Sequence, residues 1–207
     1  KWGIDILVTG SQKAMMLPPG LALLAVSEKA WKVIEANGSP AYYLNLISYR
    51  EWADKGMTPN TPAVSLIMGL SAVCDLIEEE GGFSKTVERH DVMKNMVRES
   101  MRALSIELLT NDDFASPTIT TIRTPEGLDL AAYLGHLKKK YHLDFAGGLN
   151  HLQGKVFRFG HMGYCFPSDV LEAVSLMEAG LQDFSYPFEP GAGVQAAQNV
   201  YLSSLRK

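Results

Sequence analysis

Ile4-Asp5-Ile6-Leu7-Val8-Thr9-Gly10-Ser11-Gln12-Lys13-Ala14 runs from an apolar stretch into a polar turn, and Leu17-Pro18-Pro19-Gly20-Leu21-Ala22 follows at once. Ile4 to Val8 is too short for a helix and reads as a buried strand that turns at Thr9-Gly10-Ser11. Pro18-Pro19-Gly20 marks a tight irregular turn, and Leu21 to Val26 a second buried strand. The loop joining them carries Lys13, just past a strand end. Apolar surroundings disfavour the charged form of an amine. A neutral amine attacks carbonyls and forms a Schiff base. The plainer alternative is a lysine at a strand end pointing into solvent.

Outward from this hairpin, Ser27 caps a helix to about Ala36, stopped by Asn37-Gly38. Tyr42 to Pro59 is a polar, aromatic connection with a short helix around Ser48 to Asp54. Thr61-Pro62 then opens a long helix, with Thr as N-cap and Pro in the first turn. Val64, Ile67, Leu70, Cys74 and Ile77 recur along it at helical spacing, and Gly81-Gly82 ends it. A second long helix follows Ser84, with Met93, Met96, Val97, Met101 and Leu104 on one face.

Beyond it the pattern alternates. Ser105 to Leu109, Thr118 to Arg123 and Val156 to Phe159 read as strands. Leu128 to Tyr141, Ser168 to Ala179 and Val194 to Ser204 read as helices. This predicts a small α+β domain with a largely antiparallel sheet. The expected boundary lies near residue 80, giving domains 1–80 and 81–207.

Composition narrows the function classes. The 207 residues are 46% hydrophobic, enough for a sizeable core. The net charge of -4 and the lack of a basic stripe argue against nucleic acid. Lys138-Lys139-Lys140 suits the solvated end of a helix. Met57 to Asp75 is broken by Pro59, Asn60 and Pro62, so it is a poor membrane span. The two cysteines, Cys74 and Cys165, make no disulfide framework and fit a reducing compartment. Leu205-Arg206-Lys207 is no peroxisomal tail, which points to the cytoplasm. The five histidines show no metal spacing, and no metal is expected. Lys1 leads straight into a strand, so residues are expected to precede it.

Two more features carry chemistry. Arg158, in Val156-Phe157-Arg158-Phe159-Gly160, lies on the strand face opposite both phenylalanines. A guanidinium there suits a bidentate carboxylate; a structural salt bridge or an exposed face is the alternative. Thr58-Pro59-Asn60-Thr61-Pro62 leads into a helix, where backbone N–H groups and hydroxyls favour phosphate; plain capping is the alternative. Gly147-Gly148 either lets backbone approach a ligand or merely turns the chain.

Together these segments resemble the class V pyridoxal-phosphate enzymes of fold type I, within the alanine–glyoxylate/serine–pyruvate aminotransferase family. Gly10-Ser11-Gln12-Lys13-Ala14 with Leu17-Pro18-Pro19-Gly20-Leu21-Ala22 is similar to that family's cofactor-lysine segment. Thr58-Pro59-Asn60-Thr61-Pro62-Ala63-Val64-Ser65-Leu66 resembles its cross-dimer phosphate segment. Ala146-Gly147-Gly148 with Gly154 to Gly163 resembles its substrate-carboxylate strand. The three occur in the family's order over nearly the whole chain.

The resemblance implies an α/β protein: the end of the large cofactor domain plus the small C-terminal α+β domain. It implies pyridoxal 5'-phosphate as cofactor, held as a Schiff base on Lys13, which would also move the substrate proton. It implies phosphate contacts from Ser11 and Gln12, and contacts to a partner subunit's phosphate from Thr58, Asn60 or Thr61, hence a homodimer. Arg158 would clamp the substrate carboxylate. The implied reaction is transamination between a small amino acid, alanine or serine, and a 2-oxo acid, glyoxylate or pyruvate. Gln12, where desulfurases of the class carry a histidine, counts against desulfuration. The family enzyme is about twice this length, so the chain alone is expected to lack part of the site. A non-catalytic fragment, or another class V reaction such as a lyase, is the alternative.

Overall fold

The computed structural model describes residues 2–206, which divide into two compact units, one ending at Glu78 and one beginning at Glu79.

In the first unit, β1 (Ile6–Gly10) and β2 (Ala22–Val26) form an antiparallel two-stranded sheet, with Ile6 opposite Val26 and Gly10 opposite Ala22. α1 (Glu28–Asn37) starts where the Ser27 hydroxyl accepts the Ala30 N–H, and stops at Gly38, whose φ of 66° suits glycine. α2 (Leu46–Ala53) is capped by the Asn45 side chain, which accepts from the N–H groups of Ile47 and Ser48. α3 (Val64–Glu79) begins two residues beyond the expected proline start, because residues 61–63 stay outside the helix. Its apolar face also differs from the expected one. Val73 and Ile77 are buried and Leu70 partly so, whereas Val64, Ile67 and Cys74 are exposed.

The two strands were expected to be buried, and they are not. Ile6, Leu7 and Val8 are 47%, 51% and 63% exposed. Neighbouring residues of a strand face opposite ways, so both faces of the ribbon are open. Packing here centres on the loop between the strands and Leu23 of β2: Met15, Val73 and Ile77 form a small core that Met16, Leu17, Leu23 and Leu70 join.

The second unit holds the main core. α4 (Phe83–Ala103) buries Met93, Met96, Val97 and Met101, at the i, i+3, i+4, i+8 spacing of one helix face. β3 (Ile119–Arg123), β4 (Ala146–Gly147) and β5 (Val156–Gly160) form an antiparallel sheet in the order β3-β5-β4. α5 (Leu130–Tyr141) and α6 (Pro167–Asp183) add Tyr133, Leu137, Val170, Val174, Met177 and Leu181 to the core. α7 (Ala192–Ser204) packs along α4. Each such side chain contributes roughly 1.5–3 kcal/mol by leaving water.

Ser105 to Leu109 was expected to be a strand, but forms only an isolated bridge, Leu108 opposite Ile122. Ser105 has a φ of 57°, which breaks the extended run at its start. The two-residue β4 was not anticipated. Among the described residues, no helix is long and apolar enough to cross a membrane.

The start of α7 rests on an acid from α6. Glu178, 7% exposed, accepts the backbone N–H groups of Gly191 at 2.6 Å, Gly193 at 2.8 Å and Val194 at 3.1 Å. These are donors that a helix N-terminus leaves without intrahelical partners. A carboxylate there also meets the positive end of the helix dipole. Gly193 makes the approach possible, since a Cβ on it would lie 2.8 Å from Glu178 Oε1.

Candidate active site

Lys13 stands in the turn that follows β1 and is exposed, where apolar surroundings were expected. Among the described residues it has no carboxylate partner within 4.0 Å. The turn beneath it is closely tied. The Met16 N–H donates to Lys13 O, and the Leu17 N–H to Ser11 O, both at 3.0 Å. Met16 takes a φ of 58°, unusual for a residue with a side chain. Leu17 reaches α3 so closely that a Cβ on Gly69 would lie 2.8 Å from Leu17 Cδ2. The turn is thus a fixed platform carrying a free amine.

Gln12 folds back over β1. A Cβ on Gly10 would sit 2.6 Å from Gln12 Oε1. Glycine therefore leaves the space in which the amide lies, one residue from Lys13. Ser11 points the other way. It is fully buried, its hydroxyl donating to Pro18 O at 2.7 Å and accepting the Leu21 N–H at 3.1 Å. Both the donor and an acceptor site of its hydroxyl are thus engaged within the loop.

At Thr58-Pro59-Asn60-Thr61, the Thr58 hydroxyl donates to Asn60 O at 2.8 Å. Its proton is used within the turn, which leaves the Asn60 amide and the exposed Thr61 hydroxyl as the side-chain donors of the segment.

Arg158 lies in the second unit, on the half-open face of the sheet, opposite Thr121 of β3 and Ala146 of β4. Phe157 and Phe159 are buried on the other face, as strand alternation requires. Arg158 Nε donates to Gly147 O at 3.0 Å. Among the described residues no carboxylate pairs with it, so the salt-bridge alternative has no partner to supply it. Its two terminal nitrogens make no hydrogen bond in the same set. Arg158, Phe159, Phe145, Leu143, Cys165 and Asp169 line a cavity of about 450 Å³ within this unit, a volume that takes a small molecule.

Gly147-Gly148 turns the chain under constraint: a Cβ on Gly148 would lie 2.2 Å from Leu152 O. Two histidines are packed inside. His90 accepts the Gly163 N–H at Nε2, and its Nδ1 lies 2.6 Å from Thr86 O. His161 is fully buried with Nε2 2.9 Å from Thr120 Oγ1, and burial pushes its imidazole down to about 4. Elsewhere, Lys140, His136 and Tyr141 hold the Asp183 carboxylate well below the usual carboxylate range, all three on one oxygen. Lys138 pairs with Asp144, so the lysine run is an exposed helix end tied to nearby acids.

The geometry has counterparts in known proteins. The family model for class-V aminotransferases matches residues 1–141. The chain is 40% identical, over 97% of its length, to a protein of Synechococcus sp. named as the small subunit of a soluble hydrogenase. It is also 40% identical, over 98% of its length, to an uncharacterised aminotransferase of Methanocaldococcus jannaschii. It spans about half the length of these curated relatives, 52% of each. The crystal structure of ureidoglycine–glyoxylate aminotransferase from Bacillus subtilis superposes with a TM-score of 0.86 at 28% identity, covering 97% of this chain and 52% of that one. The architecture is accordingly a part of the type I fold of pyridoxal-phosphate-dependent transferases. A family model across most of the sequence, and a solved aminotransferase that matches over nearly all of it, lead to one conclusion: this chain belongs to the class-V aminotransferases.

Proposed function

We propose that the chain serves a pyridoxal 5'-phosphate-dependent aminotransferase, moving an amino group between alanine or serine and glyoxylate or pyruvate. The observation that carries this is Lys13: an unpaired, exposed amine on a turn clamped to α3 and β2. The residues fit the cofactor. Lys13 offers the primary amine that an aldehyde needs. Gln12, in the space Gly10 leaves, offers amide N–H groups to a phosphate.

When bound, pyridoxal phosphate supplies an electron sink for the negative charge that develops at the substrate carbon. The rest falls to the protein. Lys13 Nζ would hold the cofactor covalently and would carry the proton taken from the substrate Cα. Gln12 steadies the phosphate end. Asn60 and Thr61 reach the phosphate of a second subunit, which makes the working enzyme a homodimer; Thr58 stabilises their turn by donating to Asn60 O. Arg158 grips the substrate carboxylate through its two terminal nitrogens.

Residues 1–80 belong on this reading to the large cofactor domain and 81–207 form the small domain, with the observed division at Glu78/Glu79 in support. Glyoxylate as acceptor draws support from the ureidoglycine–glyoxylate enzyme that shares the fold. The free cysteines suit the cytoplasm.

The test is to add pyridoxal phosphate to the full-length product of the gene encoding this chain, record the visible absorbance, reduce with borohydride and map the modified peptide. A band lost on reduction, with the label on Lys13, is the expected result. A label that avoids Lys13 or scatters over many lysines overturns the proposal.

A further inference from the structure

Ser11 was expected at the cofactor, yet every polar atom it has is turned into its own loop. Its N–H donates to Leu21 O at 3.0 Å, and its carbonyl accepts the Leu17 N–H at 3.0 Å. Its hydroxyl donates to Pro18 O at 2.7 Å and accepts the Leu21 N–H at 3.1 Å. The side chain is fully buried. Four bonds from one residue thus join the end of β1 to the residues that lead into β2. Lys13 sits two residues along inside the closed loop, its own carbonyl taken by the Met16 N–H.

We propose that Ser11 is a positioning residue, whose buried hydroxyl clasps the two ends of the 11–21 loop and so fixes the direction in which the Lys13 amine leaves the sheet. This rests on the reading of Lys13 as the cofactor lysine. A loop closed at its base has few conformations left, so the cost of placing the amine is met on folding and not at each encounter. Alanine at this position removes the donor to Pro18 O and an acceptor of the Leu21 N–H together. Cysteine keeps nearly the same size but is a weak donor and acceptor. The hydroxyl's place therefore separates two effects, filling the space and tying the loop.

The experiment uses the full-length gene product with pyridoxal phosphate as the probe, and compares wild type, Ser11→Ala and Ser11→Cys. Three quantities are read: the share of borohydride-fixed label on Lys13 relative to the other lysines, the position of the bound cofactor's absorbance maximum, and the thermal midpoint. The expected result is a share on Lys13 that falls by about tenfold in Ser11→Ala, the scale of losing one or two hydrogen bonds. The absorbance maximum shifts with it, and Ser11→Cys falls between. Should Ser11→Ala fail to fold, the intermediate fall in the folded Ser11→Cys decides in favour. A share and a maximum unchanged in a folded variant overturn the positioning role while leaving Lys13 as the cofactor lysine. A wild-type label that is not on Lys13 overturns both, because no cofactor lysine remains to position.

Discussion

Replacing Glu178 with alanine isolates what holds α7 in place. The carboxylate accepts three backbone N–H groups, from Gly191, Gly193 and Val194, at 2.6 to 3.1 Å, and is almost fully buried. A hydrogen bond to a charged group contributes about 1.5–3 kcal/mol. The three share one acceptor group, so their contributions overlap. Favourable, partly buried charge–dipole contacts add up to about 2 kcal/mol. Against this stands the cost of taking a carboxylate out of water, which the variant recovers. The net expected loss is about 3 kcal/mol, or roughly 10 °C in the thermal midpoint for a chain of this size. Glu178→Gln keeps an oxygen for part of the set and loses about half as much. Urea unfolding followed by circular dichroism measures both. Amide exchange at Gly193 and Val194 locates the effect, and should accelerate in Glu178→Ala more than exchange in α5. An alanine variant within about 0.5 kcal/mol of wild type, inside the range of ordinary surface substitutions, would refute the idea that this acid anchors the helix.

Other outcomes follow from other parts of the molecule. His161 is neutral in the folded state down to about pH 4, against 6.5 for a free imidazole. The unfolded chain therefore takes up the proton first, and stability falls as pH drops from 6.5 to 4, by about 3 kcal/mol from this group. Urea titrations across that range should show a shallower fall in His161→Gln. Arg158→Lys should leave the thermal midpoint nearly unchanged yet raise the KM for the carboxylate substrate by about tenfold to a hundredfold, since a bidentate grip is lost; an unchanged KM removes Arg158 from the substrate site. Gly180→Ala places a Cβ 2.4 Å from Leu137 Cδ2, where α6 meets α5. Overpacking of that kind costs about 1–3 kcal/mol, readable from the urea midpoint.

Much of the second unit could be read directly from the sequence. The methionine spacing in α4 and the alternation around Arg158 each report a single buried face, and burial was what the structure supplied there. The first unit was harder for a physical reason. An apolar run announces that a strand wants cover, but not whether the cover lies within the same chain, and Ile6 to Val8 find none in theirs. The start of α3 lies later than expected because a Thr-Pro pair fits a cap and an extended segment equally well, and Thr61 and Pro62 stay outside the helix. The resemblance implies a cofactor contact for Ser11, but a motif does not say which way the hydroxyl faces. Which way a hydroxyl faces depends on Pro18 and Leu21, up to ten residues on. Glu178 gave no signal, since its partners are backbone N–H groups that carry no sequence identity.

The open ribbon of β1 and β2 has a consequence for handling the protein. Among the described residues its strands pair only with each other, so each keeps an outer edge of unbonded N–H and C=O groups beside solvent-facing Ile6, Leu7, Val8 and Leu24. Such an edge is a template for strand addition by any extended chain nearby. No charge lies within either strand to deter it, with Asp5 standing just outside and paired to Lys29. Self-association through that ribbon is the expected outcome when this chain is concentrated alone. Light scattering against concentration is therefore the control to run beside any spectroscopic titration of Lys13.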